Sequence, residues 1–545
     1  MLKKFLIAVA ILFPTPTLAD EGGDAMDIQK VTTPSGITAW LVESHSLPMV
    51  SVEVAFRAGS AFDPQGKGGT ANLTAALLTQ GAGELDAAAF QKEKDRLGAR
   101  IAAGADTLNI TAGFDALAEV TDKTFALFAT ALKNPTFDKA DFTRLKKAVV
   151  AGRKRVEEQP RKLAQEAFAE VVYGRYHPYS HPTSGTLRSL ENIQVQDIKK
   201  YHRKMFTRAN MVVSVVGAVT PQELSALLEE HLGDLPKGRK AMAVDQPPQE
   251  QPPVRQVIKQ DIPQTTIVMG HKGLNRSHDD YFAALVTNHI LGGGGFSAQL
   301  MQEVREKRGL VYGIYSYFNP MPYWGAFRVV AQTKNQSAGQ VVEIVKDEIS
   351  KLRTQGVSQE DFDAAISYLV GSFPLRLDSN SDILKYLTFM QTENLGVDYM
   401  NNWVSNIMQV SRADVRAAAR KYMHPDEMAV VMVGQPGQQS APADAAPKPT
   451  PLEKVAPEVS TSVKTPPAER KPAEDTGAEK PTAPVAPQAP EPVQEEAVAA
   501  PVQKAQPTPQ PEKKSYNRWQ QRQKAPVPSQ PENPQRRNVN SDEWL

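Results

Sequence analysis

From about Ile28 to Gly434, short apolar runs rich in β-branched residues alternate with longer stretches whose apolar positions recur at helical spacing. Runs of the first kind read as buried strands and stretches of the second as amphipathic helices, so the pattern predicts a globular α+β protein. Ala140-Asp141-Phe142 opens a helical stretch that reaches Val149-Val150-Ala151-Gly152, and Glu360-Asp361-Phe362 opens another that reaches Tyr368-Leu369-Val370-Gly371. Asp197-Ile198-Lys199-Lys200-Tyr201 leads into the strand Val212-Val213-Ser214-Val215-Val216-Gly217, as Asp414-Val415-Arg416 leads into Ala429-Val430-Val431-Met432-Val433-Gly434. Both pairs stand about 220 residues apart, the signature of one α+β unit duplicated.

A seam separates the copies. Gln246-Pro247-Pro248-Gln249-Glu250-Gln251-Pro252-Pro253 can neither pair in a sheet nor continue a helix, and reads as an extended linker. The expected organisation is a first unit over 28–240, a linker over 241–255 and a second unit over 256–436. Beyond it, residues 437–545 turn to Pro, Ala, Glu, Gln and Lys with few apolar side chains, a composition that does not offset the entropy of ordering and predicts a disordered tail. In polyproline II form, at ~3.1 Å per residue, it would reach on the order of 300 Å.

The N-terminus adds a compartment. Met1-Leu2-Lys3-Lys4, the apolar run from Phe5 to Phe13 and Thr17-Leu18-Ala19 have the charged, apolar, small-residue order of a secretory signal peptide over 1–19, and imply a periplasmic location. Its apolar run falls short of the ~20 residues that span a bilayer. Cysteine is absent, which excludes disulfides, thiolate metal sites and a cysteine nucleophile. A formal charge of +1 gives no basic field for nucleic acid.

Two segments carry the chemistry. The first is Gly68-Gly69-Thr70-Ala71-Asn72-Leu73-Thr74-Ala75-Ala76-Leu77-Leu78, followed by Gly81-Ala82-Gly83 and preceded by the strand-like 52–60. The second is Leu291-Gly292-Gly293-Gly294-Gly295-Phe296-Ser297, followed by a helix-like stretch with Arg305 and then Gly309 and Tyr312. Together they resemble the pitrilysin/insulinase family of zinc metallopeptidases, whose motif H-x-x-E-H places two histidines on one helix face around zinc, with a glutamate that activates the bound water. The resemblance covers 28–434 and implies two duplicated α+β units of that type. It puts Asn72 and Ala76 where the histidines belong, Ala75 where the glutamate belongs, and Gly152 near the remaining carboxylate ligand. Alanine and glycine offer no lone pair, so no metal is expected in this chain. Glu157 and Glu158 lie a turn or more beyond the ligand position, and His177-Pro178-Tyr179-Ser180-His181-Pro182 carries prolines that argue for turn or packing histidines.

The second segment is intact. Gly292, Gly293, Gly294 and Gly295 form a loop without the Gly-Lys-Ser/Thr of a phosphate cradle. The resemblance assigns Arg305 and Tyr312 to substrate bound at zinc elsewhere, the tyrosine hydroxyl polarising the scissile carbonyl. Seven positions are nearly two helical turns, so both would face one side of a helix that ran on through Gly309.

The family has a two-chain branch in which one subunit holds zinc and a degenerate one supplies the Arg/Tyr pair, and this sequence has the second pattern. The expected function is therefore a non-catalytic subunit of a periplasmic heterodimeric metallopeptidase, with zinc in a homologous partner, a peptide or unfolded protein as substrate, and homodimers when alone. Asn109-Ile110-Thr111-Ala112-Gly113 is expected to be an edge strand that adds a peptide. The alternative is a peptide-binding or scaffold protein of the cell envelope, with the tail touching envelope components.

Overall fold

The computed structural model describes residues 26–248 and 253–438, and every described residue falls within one compact unit. The signal-peptide segment and nearly all of the tail lie outside the described residues. Among the described residues, no helix is long and apolar enough to cross a membrane.

Among the described residues, eleven strands form two sheets. The first holds β1 (Gln29–Thr32), β2 (Thr38–Glu43), β3 (Met49–Phe56), β4 (Arg100–Ala105), β5 (Ile110–Leu117) and β6 (Met211–Gly217), in the order β1-β2-β6-β3-β5-β4. The second holds β7 (Arg255–Lys259), β8 (Gln264–Lys272), β9 (Val311–Asn319), β10 (Ala326–Lys334) and β11 (Ala429–Gly434), in the order β7-β11-β8-β10-β9. Each sheet has one parallel pair, β2 with β6 and β7 with β11, and its other pairs are antiparallel. Without β1 the two orders are the same, strand for strand. The duplicated architecture read from the sequence is present, and the matched segments are the helices Lys139–Val156 and Gln359–Ser372 and the helix–strand pairs that end in β6 and β11. Local signals start these helices where they begin: Asp138 accepts from the amides of Ala140 and Asp141, Ser358 from Asp361, and Ser411 forms a reciprocal capping box with Asp414.

Strand periodicity then determines how the halves join. On β3 and β6, Val50, Val52, Val54, Val213 and Val215 enter the apolar core of the first half. The alternate positions Glu53 and Ser214 face the helix Asn380–Thr392, contributed by the second half. Thr388 donates to Ser214 Oγ at 2.9 Å, and Gln391 Nε2 to Val213 O and Ser214 Oγ at 2.8 Å each. The reciprocal exchange is apolar: Ala164, Phe168 and Val172 of the first-half helix Pro160–Tyr173 pack with Val268, Val330, Val431 and Val433 of the second sheet. Each half thus covers one face of the other's sheet, and neither has a complete core alone. The described linker also packs, with Val244 in that apolar cluster and the Asp245 carbonyl bonded to His177 Nε2 at 2.9 Å.

One expectation is corrected here. The segment from Asn109 to Gly113 belongs largely to β5, which is interior, paired with β3 on one side and β4 on the other. Its alternation suits an interior strand as well as an edge, and the outer position is taken by β4.

Candidate functional site

The degenerate motif lies on the helix Thr70–Leu77, which Asp63 caps by accepting from the amides of Gly69 and Ala71 at 2.7 Å each. Burial pushes Asp63 up to about 7 against the opposing pull of those amides. Six residues of this helix around Asn72 and Ala76 are buried, among them Leu73, Thr74 and Leu77. Asn72 and Ala76, four apart, are only half-buried and share a face, while Ala75 is buried. The helix face they share carries no histidine or carboxylate. Gly152 sits exposed on the neighbouring helix Lys139–Val156, with open space where a side chain would stand. Arg153 beside it is committed to a two-pronged ion pair with Glu166. Glu157 and Glu158 follow the end of that helix and are exposed.

His177, His181 and His202 each engage the backbone by hydrogen bonds. His177 Nδ1 accepts from Tyr179 N at 3.1 Å in a tight turn, and His181 reaches Arg175 O. His202 is buried with Nε2 on Leu132 O at 2.8 Å, and burial pushes it down to about 4. Among the described residues, one group of ligand-type atoms clusters within 4.8 Å: Asp122, Glu230 and His231. There the His231 ring stacks on Phe125 and its Nε2 meets Asp122 at 2.9 Å.

The glycine loop, Arg305 and Tyr312 do come together. Wide turns with i to i+5 bonding run over His289–Gly293 and Met301–Glu306, on either side of the loop. Gly292 lies so close to β9 that an added Cβ would stand 2.4 Å from Ser316 Oγ, which explains glycine there. The helix does not continue to Tyr312. At Gly309, φ +60, the chain reverses, with its amide on Arg305 O at 2.8 Å and that of Leu310 on Val304 O at 3.0 Å, and Tyr312 lies on β9. The two side chains meet all the same: the Arg305 guanidinium lies 5.6 Å from the centre of the Tyr312 ring and 4.7 Å from that of Phe296. Glu303 is taken up by Lys307 and Arg308, and Glu306 stands 3.5 Å from Arg305. Tyr312 is 91% exposed. Phe296, directly after the glycine run, is the member of this site that sequence reading passed over; its only signal was an apolar residue at the tip of a polar loop.

Comparison with known proteins agrees with this geometry. Residues 39–186 match the family Insulinase (Peptidase family M16), and residues 192–369 match the Peptidase M16 inactive domain. A crystal structure of a peptidase M16 inactive domain from Pseudomonas fluorescens is 32% identical, covers 76% of this chain and 99% of that one, and superposes with a TM-score of 0.72. The chain belongs to peptidase family M16. Within M16 it is a non-catalytic member. A Helicobacter pylori relative named Non-peptidase homolog YmxG is 25% identical over 400 residues, covering 72% of this chain and 90% of that protein. Another, the Uncharacterized zinc protease YmxG of Bacillus subtilis, is 23% identical over 354 residues, covering 65% and 85%.

Proposed function

We propose that this M16 chain is the non-catalytic subunit of a two-chain periplasmic zinc peptidase, and that Arg305 and Tyr312 complete the site of a zinc-bearing homologous partner. One observation carries the reading: the Arg305 guanidinium is held against an exposed Tyr312, while the helix with Asn72, Ala75 and Ala76 has no zinc ligands of its own. Two donors presented this way suit an oxyanion forming on a peptide carbonyl at the partner's zinc, where such groups contribute ~3 to 4 kcal/mol to the transition state. The Phe296 ring, 4.7 Å from the same guanidinium, gives Arg305 a second contact that limits the side-chain freedom to be lost on reaction. Strand β4, the outer strand beside the helix Thr70–Leu77, supplies an edge on which an extended peptide can add as a further strand.

The Helicobacter pylori relative's name, a non-peptidase homologue, supports the second reading, in which the chain binds peptides or acts as an envelope scaffold without serving proteolysis. Mixing the chain with a zinc-motif homologue from the same cell separates the two. Peptidase activity that needs both chains and falls with Tyr312→Phe supports the first; activity independent of this chain supports the second.

A further inference from the structure

The helix Arg412–Tyr422 carries exposed arginines at 412, 416 and 420, each one turn from the next. They close the C-terminus of the helix Ala338–Gln355, whose last carbonyls find no partner within their own helix. Arg420 donates from Nε to Arg353 O at 3.0 Å, and Arg416 from Nη2 to Thr354 O. Arg412 donates from Nε and Nη2 to Val357 O, just beyond the helix, at 3.1 and 2.5 Å. The Arg416 stem is held as well, its Cδ 3.5 Å from where a Cβ on Gly356 would stand.

Capping is the structural role of these side chains, and it leaves most of their donors unused. A guanidinium has five N–H groups, of which Arg416 and Arg420 each commit one to a carbonyl. Among the described residues, no carboxylate stands within ion-pair distance of Arg412, Arg416 or Arg420. Arg416, Arg420 and Lys421 line an open cleft of about 470 Å³, whose remaining walls are Ala413 and Ala417. Lys421 is already paired with Asp280 at 2.6 Å, so the uncompensated charge in the cleft is that of the two guanidiniums. One helical turn separates them by ~6 Å along the axis, and their anchors are the carbonyls of adjacent residues, so the oxygens of one tetrahedral anion can meet both. Each alanine adds only a methyl group, which leaves the space between the arginines open. Fixed guanidiniums with further N–H donors are suited to phosphate, whose oxygens accept charge-assisted hydrogen bonds. The whole chain has a formal charge of +1, so this positive field is local, which suits a single phosphate group better than a nucleic acid.

We propose that the cleft at Arg416 and Arg420 is an anion site that binds one phosphate group, carried by a soluble phosphorylated molecule or by a lipid headgroup. The proposal goes beyond the subunit reading and does not depend on it, since none of these residues belongs to the Arg305–Tyr312 site.

The test uses the full-length chain, isotope-labelled at the alanine methyl carbons and titrated with inorganic phosphate against sodium chloride of equal ionic strength. The methyl signals of Ala413 and Ala417 should shift saturably with phosphate and not with chloride. Ala417→Glu puts a carboxylate into the cleft from an exposed helix position, and should weaken binding at least about tenfold, read at Ala413, with an unchanged melting temperature. Ala417→Gln, of the same size without the charge, should bind within about threefold of the parent. Arg416→Gln combined with Arg420→Gln should lose the response. A second arm measures co-sedimentation with vesicles of phosphatidylglycerol and phosphatidylcholine in equal parts. Sedimentation that Ala417→Glu abolishes supports the proposal with a lipid as the source; saturable shifts without sedimentation support it with a soluble one. Shifts that chloride reproduces, binding that survives Ala417→Glu, or no response in either arm would overturn it.

Discussion

The guanidinium of Arg305 and the ring of Tyr312, on either side of the chain reversal at Gly309, face each other at 5.6 Å. This stack uses the ring and leaves the hydroxyl exposed, so structure and chemistry can be separated. Tyr312→Phe should leave the melting temperature unchanged and lower kcat of the two-chain assembly about 100-fold, the usual loss when one oxyanion donor is removed. Steady-state kinetics beside thermal melts check it. An unchanged kcat would remove Tyr312 from the proposed site.

The exchanged helices predict that the halves unfold together. Phe168 is fully buried on the second sheet with the Arg328 guanidinium 5.2 Å from its ring. Phe168→Ala should cost about 3 to 5 kcal/mol and shift a single cooperative transition. Calorimetry showing two transitions, with only one displaced, would contradict the exchange.

Two buried histidines should make the fold sensitive to acid. His271 donates from Nδ1 to Lys272 O at 2.7 Å and accepts at Nε2 from the His424 amide at 2.9 Å, so a second ring proton would set donor against donor. Burial pushes both His271 and His202 down to about 4, below their value of 6.5 when unfolded. The unfolded chain therefore binds protons first. The stability they hold is full above about 6.5 and is lost as pH falls towards about 4, up to roughly 3 kcal/mol for each group. Asp63, raised by burial, works in the opposite direction over the same window, so the test is the difference between variant and parent: the urea midpoint of His271→Gln relative to the parent should rise as pH falls from about 6.5 to about 4. A difference independent of pH would contradict it.

Glu53 has the opposite sign. Burial under the helix Asn380–Thr392 raises it, with the Thr388 hydrogen bond and Lys385 opposing. Its ionised form is penalised in the folded state, so stability falls as pH rises past 4.5. Glu53→Gln should raise the melting temperature at about pH 8 by roughly 1 °C, the size of a change near 1 kcal/mol in a fold of about 400 residues. The gain should vanish below about pH 4, where both states are protonated. A loss at pH 8 would contradict the assignment.

Much of this was legible in the sequence because the signals were local. Helical stretches followed by strands, repeated about 220 residues apart, made the duplication readable. The exchange of helices was not legible. Periodicity shows that Phe168 and Val172 share an apolar face, but not whose sheet that face covers. Nor does alternation distinguish an edge strand from an interior one, which is why β5 was taken for the edge that β4 forms. The seven-residue spacing of Arg305 and Tyr312 suggested a shared helix face, whereas the contact is made across the glycine reversal, with Phe296 completing it.

The most direct test of the central claim is zinc content and peptidase activity of this chain alone, then mixed with its zinc-motif homologue from the same cell. The account predicts neither zinc nor activity alone, and in the mixture one zinc per pair with activity that depends on Arg305 and Tyr312. Stoichiometric zinc with activity in the isolated chain would contradict the reading of Asn72, Ala75 and Ala76.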